Sequence, residues 1–255
     1  MITIRCTRSR ACVSFSMFRF PSRLGDRCRY APKQMTNFTT LIEQVADETN
    51  YTLSSVLLKS KLLAARMRSR KFRAWVDAEL NGYPDVESLP EYRILYPGLL
   101  ADFWGPFGAR TNNVPLTLAD FPQYVQDFVG RHCFLENIGA IECMLESNSQ
   151  TFHRHFDVEI VQLIRQGPAP RVTGQEMQSI QAIFTKSSVR GMLHAIRSRL
   201  LEFLIELRDK YPELESDPNA LNNVSESEVS QIVDRTIYNN CTICLLYTSP
   251  SPRDS

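Results

Sequence analysis

The chain has 255 residues, 43% of them hydrophobic and 22% charged, with a net charge of +1. That is the balance of an ordinary globular protein, with room for one large domain or two small ones. Its longest apolar run, 200–205, is interrupted by Glu202, far short of the ~18 residues of a membrane span, so the expected location is the cytoplasm.

The charge is unevenly spread. Residues 1–34 hold eight Lys or Arg against Asp26, a net of +7, which leaves −6 on the remaining 221. An acidic body argues against non-specific nucleic-acid binding by the whole domain, because phosphate contacts need clustered cations. The leader 1–34 lacks the apolar stretch of a secretory signal. It is Arg-rich, as transit peptides are, but has no amphipathic stripe. The reading adopted is a mis-assigned start, with native translation opening at Met35. Cysteines divide likewise: the body holds only Cys133 and Cys143, which suits a reduced cytosol.

From Thr39 the pattern is helical, with Leu41, Ile42, Val45 and Thr49 on one face at spacings of three and four. Ser54 or Ser55 is the expected N-cap of a second helix, lined on one side by Leu58, Leu62 and Ala65. Ser69 is expected to cap a third, with Phe72, Trp75, Val76 and Leu80 buried. Asn81 and Gly82 then tolerate the left-handed turn that ends it, and Pro84 forbids continuation.

The stretch 92–116 is aromatic and β-branched, punctuated by Pro97, Gly105, Pro106, Gly108, Asn112 and Asn113; it predicts two or three short strands. Helical period returns over 121–147 with a break near Gly130. Residues 152–156 read as extended, Asp157 as the cap of a short helix over 158–166, and 177–185 as extended again. The longest helix, 188–210, presents Val189, Leu193, Ile196, Leu200, Phe203, Leu204 and Leu207, with Arg190, Arg197, Arg199 and Arg208 largely outside that stripe. A face this broad must be covered by the rest of the fold or by a partner. Beyond Pro212, 213–228 is acidic and polar and reads as a linker, and 229–243 as the start of a further element. The fold class is therefore α+β and predominantly helical. N-terminal helices lead into a small antiparallel β section, then into helices ending in one long amphipathic helix.

Four sets of residues invite a chemical reading. Seven cations and no acid occupy 59–73. In a continuous helix Lys59, Arg66, Arg70 and Arg73 would form a ridge able to meet phosphate or an acidic partner. A break at Ser69 would scatter it, leaving Arg73 paired with Asp77 on a solvated face. His153, His155, Asp157 and Glu159 alternate, which mimics a metal site. Four ligands on one strand cannot close a tetrahedron, however, so no metal and no cofactor are expected. Cys241 and Cys244 have half-site spacing without a second pair. His194 reads as a core-edge histidine, and 84–93 only loosely resembles spaced nuclease carboxylates, with Arg93 where a lysine belongs. No nucleophile-elbow, zinc-protease, dinucleotide or P-loop motif occurs.

The stretch 57–95 resembles the AbiTii domain of bacterial abortive-infection proteins. The likeness rests on the leucine-rich helix, on "WVDAELNGYP" (Trp75, Leu80, Asn81, Gly82, Tyr83 and Pro84 among its residues) and on "LPEYR" (89–93). "NNVPL" (112–116) and "VRGMLHAIRSRLLEFLIEL" (189–207) follow in the expected order, so the resemblance covers roughly 39–207. It implies a defence role against bacteriophage, exercised by recognition or assembly, and it identifies no catalytic group. The implied partners are a phage or host protein, a second copy through the long helix, or a further C-terminal module. The alternative is a toxin enzyme acting on nucleic acids or nucleotides through the 59–73 cations and His153, His155 and Glu159. The expected domain is 35–212, with 213–243 linker and further segment. The final "CLLYTSPSPRDS" (244–255) resembles a translated sequencing adapter joined to a metagenomic reading frame.

Overall fold

The structure, a computed structural model, describes residues 38–167, 170–217 and 220–238. The leader, the tail, and Cys241 with Cys244 lie outside the described residues.

Helix α1, Phe38–Ala46, buries Phe38, Leu41, Ile42 and Val45 and stops before Thr49, which is exposed. Helix α2, Leu53–Arg66, is capped by Thr52, whose hydroxyl accepts from the Ser55 amide at 3.3 Å. The cap falls two residues before Ser54 because Leu53 already enters the core. Its buried stripe is Leu53, Val56, Leu57, Ser60, Leu63 and Ala64. The expected stripe of Leu58, Leu62 and Ala65 faces solvent instead, with Leu58 57% and Leu62 68% exposed. Leucines occupy two faces of this helix, and the inner one runs through Ser60, whose hydroxyl is satisfied by the Val56 carbonyl at 2.9 Å. Met67 closes α2, Arg68 turns with φ 54°, and Ser69 caps α3, Arg70–Asn81, accepting from the Phe72 amide. Ser69 is 1% exposed, so Ser69→Ala would strand a buried N–H. We expect it to cost about 1 kcal/mol, at most about 2, in chemical denaturation.

A 3-10 turn, Glu91–Arg93, leads into β1, Ile94–Leu95, and β2, Gly98–Trp104; β3 is Arg110–Leu116. Helix α4, Gln123–Val129, ends at Gly130, and β4, His132–Cys133, precedes α5, Ile138–Leu145, capped by Asn137. Then come β5, Thr151–His155, α6, Val158–Gln166, and β6, Glu176–Thr185. Asp157 sits at the N-cap of α6 as expected, without a side-chain cap bond. The main sheet has the antiparallel order β3-β2-β6-β5, and β1 pairs separately with β4. Leu99 opposes Ala182, Ala101 opposes Ile180 and Phe103 opposes Met177, so one face of the pleat is apolar. Helices α6 and α7 pack on β6. Pro115 lies in β3, an edge strand, where its missing N–H breaks no ladder.

Helix α7, Lys186–Lys210, begins at a Thr185 cap and buries Val189, Met192, Ile196, Leu200, Phe203, Leu204 and Leu207. That face is covered by α1, α5, the segment 212–215 and the C-terminal elements. Arg190 is exposed, but Arg197 and Arg199 are inside, 7% and 5% exposed. Arg197 donates to the Val45 and Tyr51 carbonyls at 2.9 and 2.7 Å. It thereby satisfies the open end of α1, a service that the helical period alone does not reveal.

The polar stretch after Pro212 is not a linker in this structure. It forms 3-10 turns, Pro212–Glu215 and Ala220–Asn223, helix α8, Glu226–Val233, and a π-type turn, Asp234–Tyr238. Leu214, Leu221, Val224, Val229, Ile232, Val233 and Ile237 are all buried in the same core. Its acids face outward while sparse apolar residues, spaced three and four apart, reach α3 and α7. No helix among the described residues is long and apolar enough to cross a membrane.

Candidate functional site

Helical spacing places Phe72, Trp75, Val76 and Glu79 on the inner face of α3. Leu80 is only half-buried and Asn81 and Pro84 are exposed, so the position expected of Leu80 is taken by a carboxylate. A buried charge is tolerated only when it is paired and hydrogen-bonded. The partner is Arg93, at the end of the turn after "LPEY"; both side chains are 0% exposed. Arg93 Nη2 donates to Glu79 Oε2, while Nη1 donates to the Glu136 carbonyl at 2.9 Å and the Phe134 carbonyl at 3.4 Å.

Two tyrosines complete the carboxylate's shell. The hydroxyls of Tyr83 and Tyr92 each donate to Glu79 Oε1 at 2.8 Å, and the Trp75 indole N–H donates to the Tyr92 oxygen at 2.7 Å. Burial, and then the charge of Glu79, push both phenols above the ordinary tyrosine range, so they remain proton donors. The Arg93 guanidinium lies 5.2 Å from the Tyr83 ring centroid, and Arg199 of α7 lies 4.5 Å from that of Tyr92.

The backbone is tied as tightly. Gly82 has φ +90°, and a Cβ there would stand 2.7 Å from the Leu135 carbonyl oxygen, so a side chain cannot be accommodated. The Tyr83 amide donates to that same carbonyl at 2.9 Å, and the Phe134 amide to the Arg93 carbonyl at 3.0 Å. "WVDAELNGYP" and "LPEYR" are thus two halves of one closed polar core that joins α3, α5 and α7. Trp75 and Tyr83 are buried, at 1% and 9% exposure, as architecture requires.

The 59–73 cations do not form a ridge, because the chain breaks at 67–69. Lys59 donates to Gln44 at 2.7 Å and lies over the Tyr51 ring. Arg70 lies 3.9 Å from Glu226 and Arg73 3.6 Å from Asp77. Arg66, at the end of α2, also has an interaction partner. His153 contacts Gln181 and Thr151, each at 3.2 Å. His155 is on the same strand, but Asp157 and Glu159 belong to the start of α6. Among the described residues no group of three or more His, Cys, Asp or Glu is placed to hold a metal ion. Asp85 makes a local turn, accepting from the Ser88 amide at 2.8 Å, and takes no part with Arg93. His194 is exposed and lies 2.7 Å from Glu48.

A cavity of about 930 Å³ opens beside that pair, between the α1–α2 turn, α5 and the first turns of α7. Its charges are largely matched internally: Glu48 faces His194 and Arg197, and Glu142 accepts the Leu53 and Ser54 amides at 2.7 and 3.3 Å. Two further clefts, of 510 and 740 Å³, lie at the far end of the sheet around Arg171 and Gln175.

The domain is helix-rich α+β and is organised on a sealed Glu79/Arg93 core. The AbiTii family profile matches residues 38–233, from the first residue of α1 to the last of α8, and the chain belongs to the AbiTii family, a family of abortive-infection, phage-defence domains. Comparison with curated proteins and with solved structures gives no match.

Proposed function

We propose that this domain serves phage defence by recognition or assembly, holding a phage or host protein, and not by catalysis. The observation that carries this reading is the sealed state of the Trp75–Arg93 block, on which the family resemblance rests most heavily in this sequence. Glu79 and Arg93 are spent on each other, on two tyrosines and on two carbonyls, so no substrate reaches them. The apolar stripe of α7 is covered by its own fold, which leaves other surfaces for a partner or a further module.

Bacteria producing the full chain are expected to resist at least one phage of a diverse panel, measured as efficiency of plating. His153→Ala and His155→Ala should leave that resistance intact. The purified protein, given Mg²⁺ or Mn²⁺, should leave DNA, RNA and nucleotides unchanged. Turnover that disappears in His155→Ala would establish the enzyme reading instead.

A further inference from the structure

The far end of the sheet is built differently from the rest of the surface. Where β2 turns into β3, Phe107 holds φ 57° and is fully exposed, at 109% of its reference area. A bulky residue in the left-handed region is rare, and such local strain concentrates at functional sites. Trp104, at the root of the same turn, is 46% exposed, and the Arg110 guanidinium lies 4.5 Å from its ring centroid.

The turn 172–175 forms the opposite wall. Gly105 approaches it so closely that a Cβ would lie 2.7 Å from the Gly174 carbonyl and 2.9 Å from Gln175 Cγ. The two turns brace each other, and the two clefts open to either side. Trp104 borders the larger cleft and Arg165 the smaller, and Arg171, Gln175 and Glu176 border both. Arg165 pairs with Glu176. Arg171 is exposed, and the amide oxygen of Gln175 is buried without a hydrogen-bond donor. Three arginines against one glutamate give this end a local +2, on a body whose net charge is −6.

Exposed rings, one of them beside a guanidinium, are the components of a base-and-phosphate site. Rings stack on the π-face of any base, and arginine fits phosphate. An acidic peptide would use the arginines but leave Phe107 without a role. We propose that the larger cleft and the turn beside it bind a nucleotide unit, either free or within a single strand, with its base on Trp104 at the cleft's border and on Phe107 of the adjoining turn, and its phosphate on Arg171, assisted by Arg110. The site is separate from the protein-binding role proposed above and stands or falls independently of it.

The test is fluorescence anisotropy on the full chain. The probes are labelled single-stranded DNA and RNA of mixed sequence, the corresponding duplex, and a labelled ATP analogue. Phe107→Ala and Arg171→Glu change exposed side chains, so circular dichroism should confirm intact folds, and Arg73→Ala serves as a distant basic control. Phe107→Ala is expected to weaken binding about 5- to 150-fold, the range for loss of one base stack. Arg171→Glu should also weaken it and flatten its salt dependence by about 0.7 per lost phosphate contact, while Arg73→Ala changes neither. Tighter binding of the strand than of ATP assigns the site to single strands, and equal binding assigns it to free nucleotides. The proposal fails if no probe binds at about 10⁻⁴ M protein, the weak end of non-specific affinity. It fails equally if Phe107→Ala and Arg171→Glu both bind as wild type, or if a polyglutamate peptide competes as well as the strand does.

Discussion

Arg93→Met is expected to lower the unfolding free energy by about 3–5 kcal/mol, a large share of the roughly 5–15 kcal/mol that a domain of this kind has in total. The substitution fits the space but removes the cation paired with Glu79. It also strands the Phe134 and Glu136 carbonyls that Nη1 satisfies. What remains is a carboxylate at 0% exposure held by two phenols and no charge. Arg93→Lys should rescue little, because one ammonium cannot serve a carboxylate and two carbonyls in a fixed fork. The double variant Glu79→Met with Arg93→Met should recover part of the loss, since replacing a whole buried pair with apolar groups is far less costly than halving it. It will not recover everything, because Tyr83 and Tyr92 then lose their acceptor. Urea titration followed by circular dichroism gives the four corners of that cycle. An Arg93→Met protein within 1 kcal/mol of wild type would show that the pair does not hold the domain together.

Why this pair escaped a reading of the sequence is instructive. The spacing that selects Phe72, Trp75 and Val76 selects Glu79 as well, but a carboxylate in an apolar series reads as a surface residue. Its cation lies fourteen residues later, beyond a helix end and a turn, and only the fold joins them. The cue available was "LPEYR" following close on "NGYP" as parts of one resemblance; what joins them is the shared oxygen of Glu79. Local punctuation was legible: the Ser69 cap, the stop at Gly82, the strands of 94–116, and the long helix follow from nearest-neighbour chemistry. Facing was legible only where one stripe stood alone. In α2 leucines lie on two sides, and the choice between Leu57 and Leu58 is made by α1 and α3, not by α2. The two clefts were not legible beyond the turn at Gly105 and Pro106, because their walls are contributed by segments far apart in the chain, 104–106 and 171–176 in the larger one.

The same difficulty governs the C-terminal segment 213–238, and there composition pointed away from the answer. If 213–228 were a linker leading to an element separate from the domain, Ile232→Ala and Ile237→Ala would each change the domain's stability by no more than about 0.5 kcal/mol, as substitutions outside its core do. In the structure Ile232 is 1% and Ile237 0% exposed, with Val229 and Val233 equally enclosed. α8 packs on α3 and α7, and the turn after it on α7. Each truncation therefore leaves a cavity against α3 or α7, and each is expected to cost about 2–5 kcal/mol. Thr236 argues for the same packing, since its buried hydroxyl is satisfied by the Ile232 carbonyl at 2.8 Å, a provision a solvated linker would not need. Lys71 of α3 reaches Asp234, and Arg235 reaches Glu206 of α7. These exposed pairs add little, so the burden falls on the isoleucines. Unfolding of both variants should remain a single transition with an unchanged denaturant slope if α8 belongs to the same cooperative unit as α3 and α7. A wild-type midpoint in Ile232→Ala would detach α8 from the domain and return the segment to the role its acidic composition suggests.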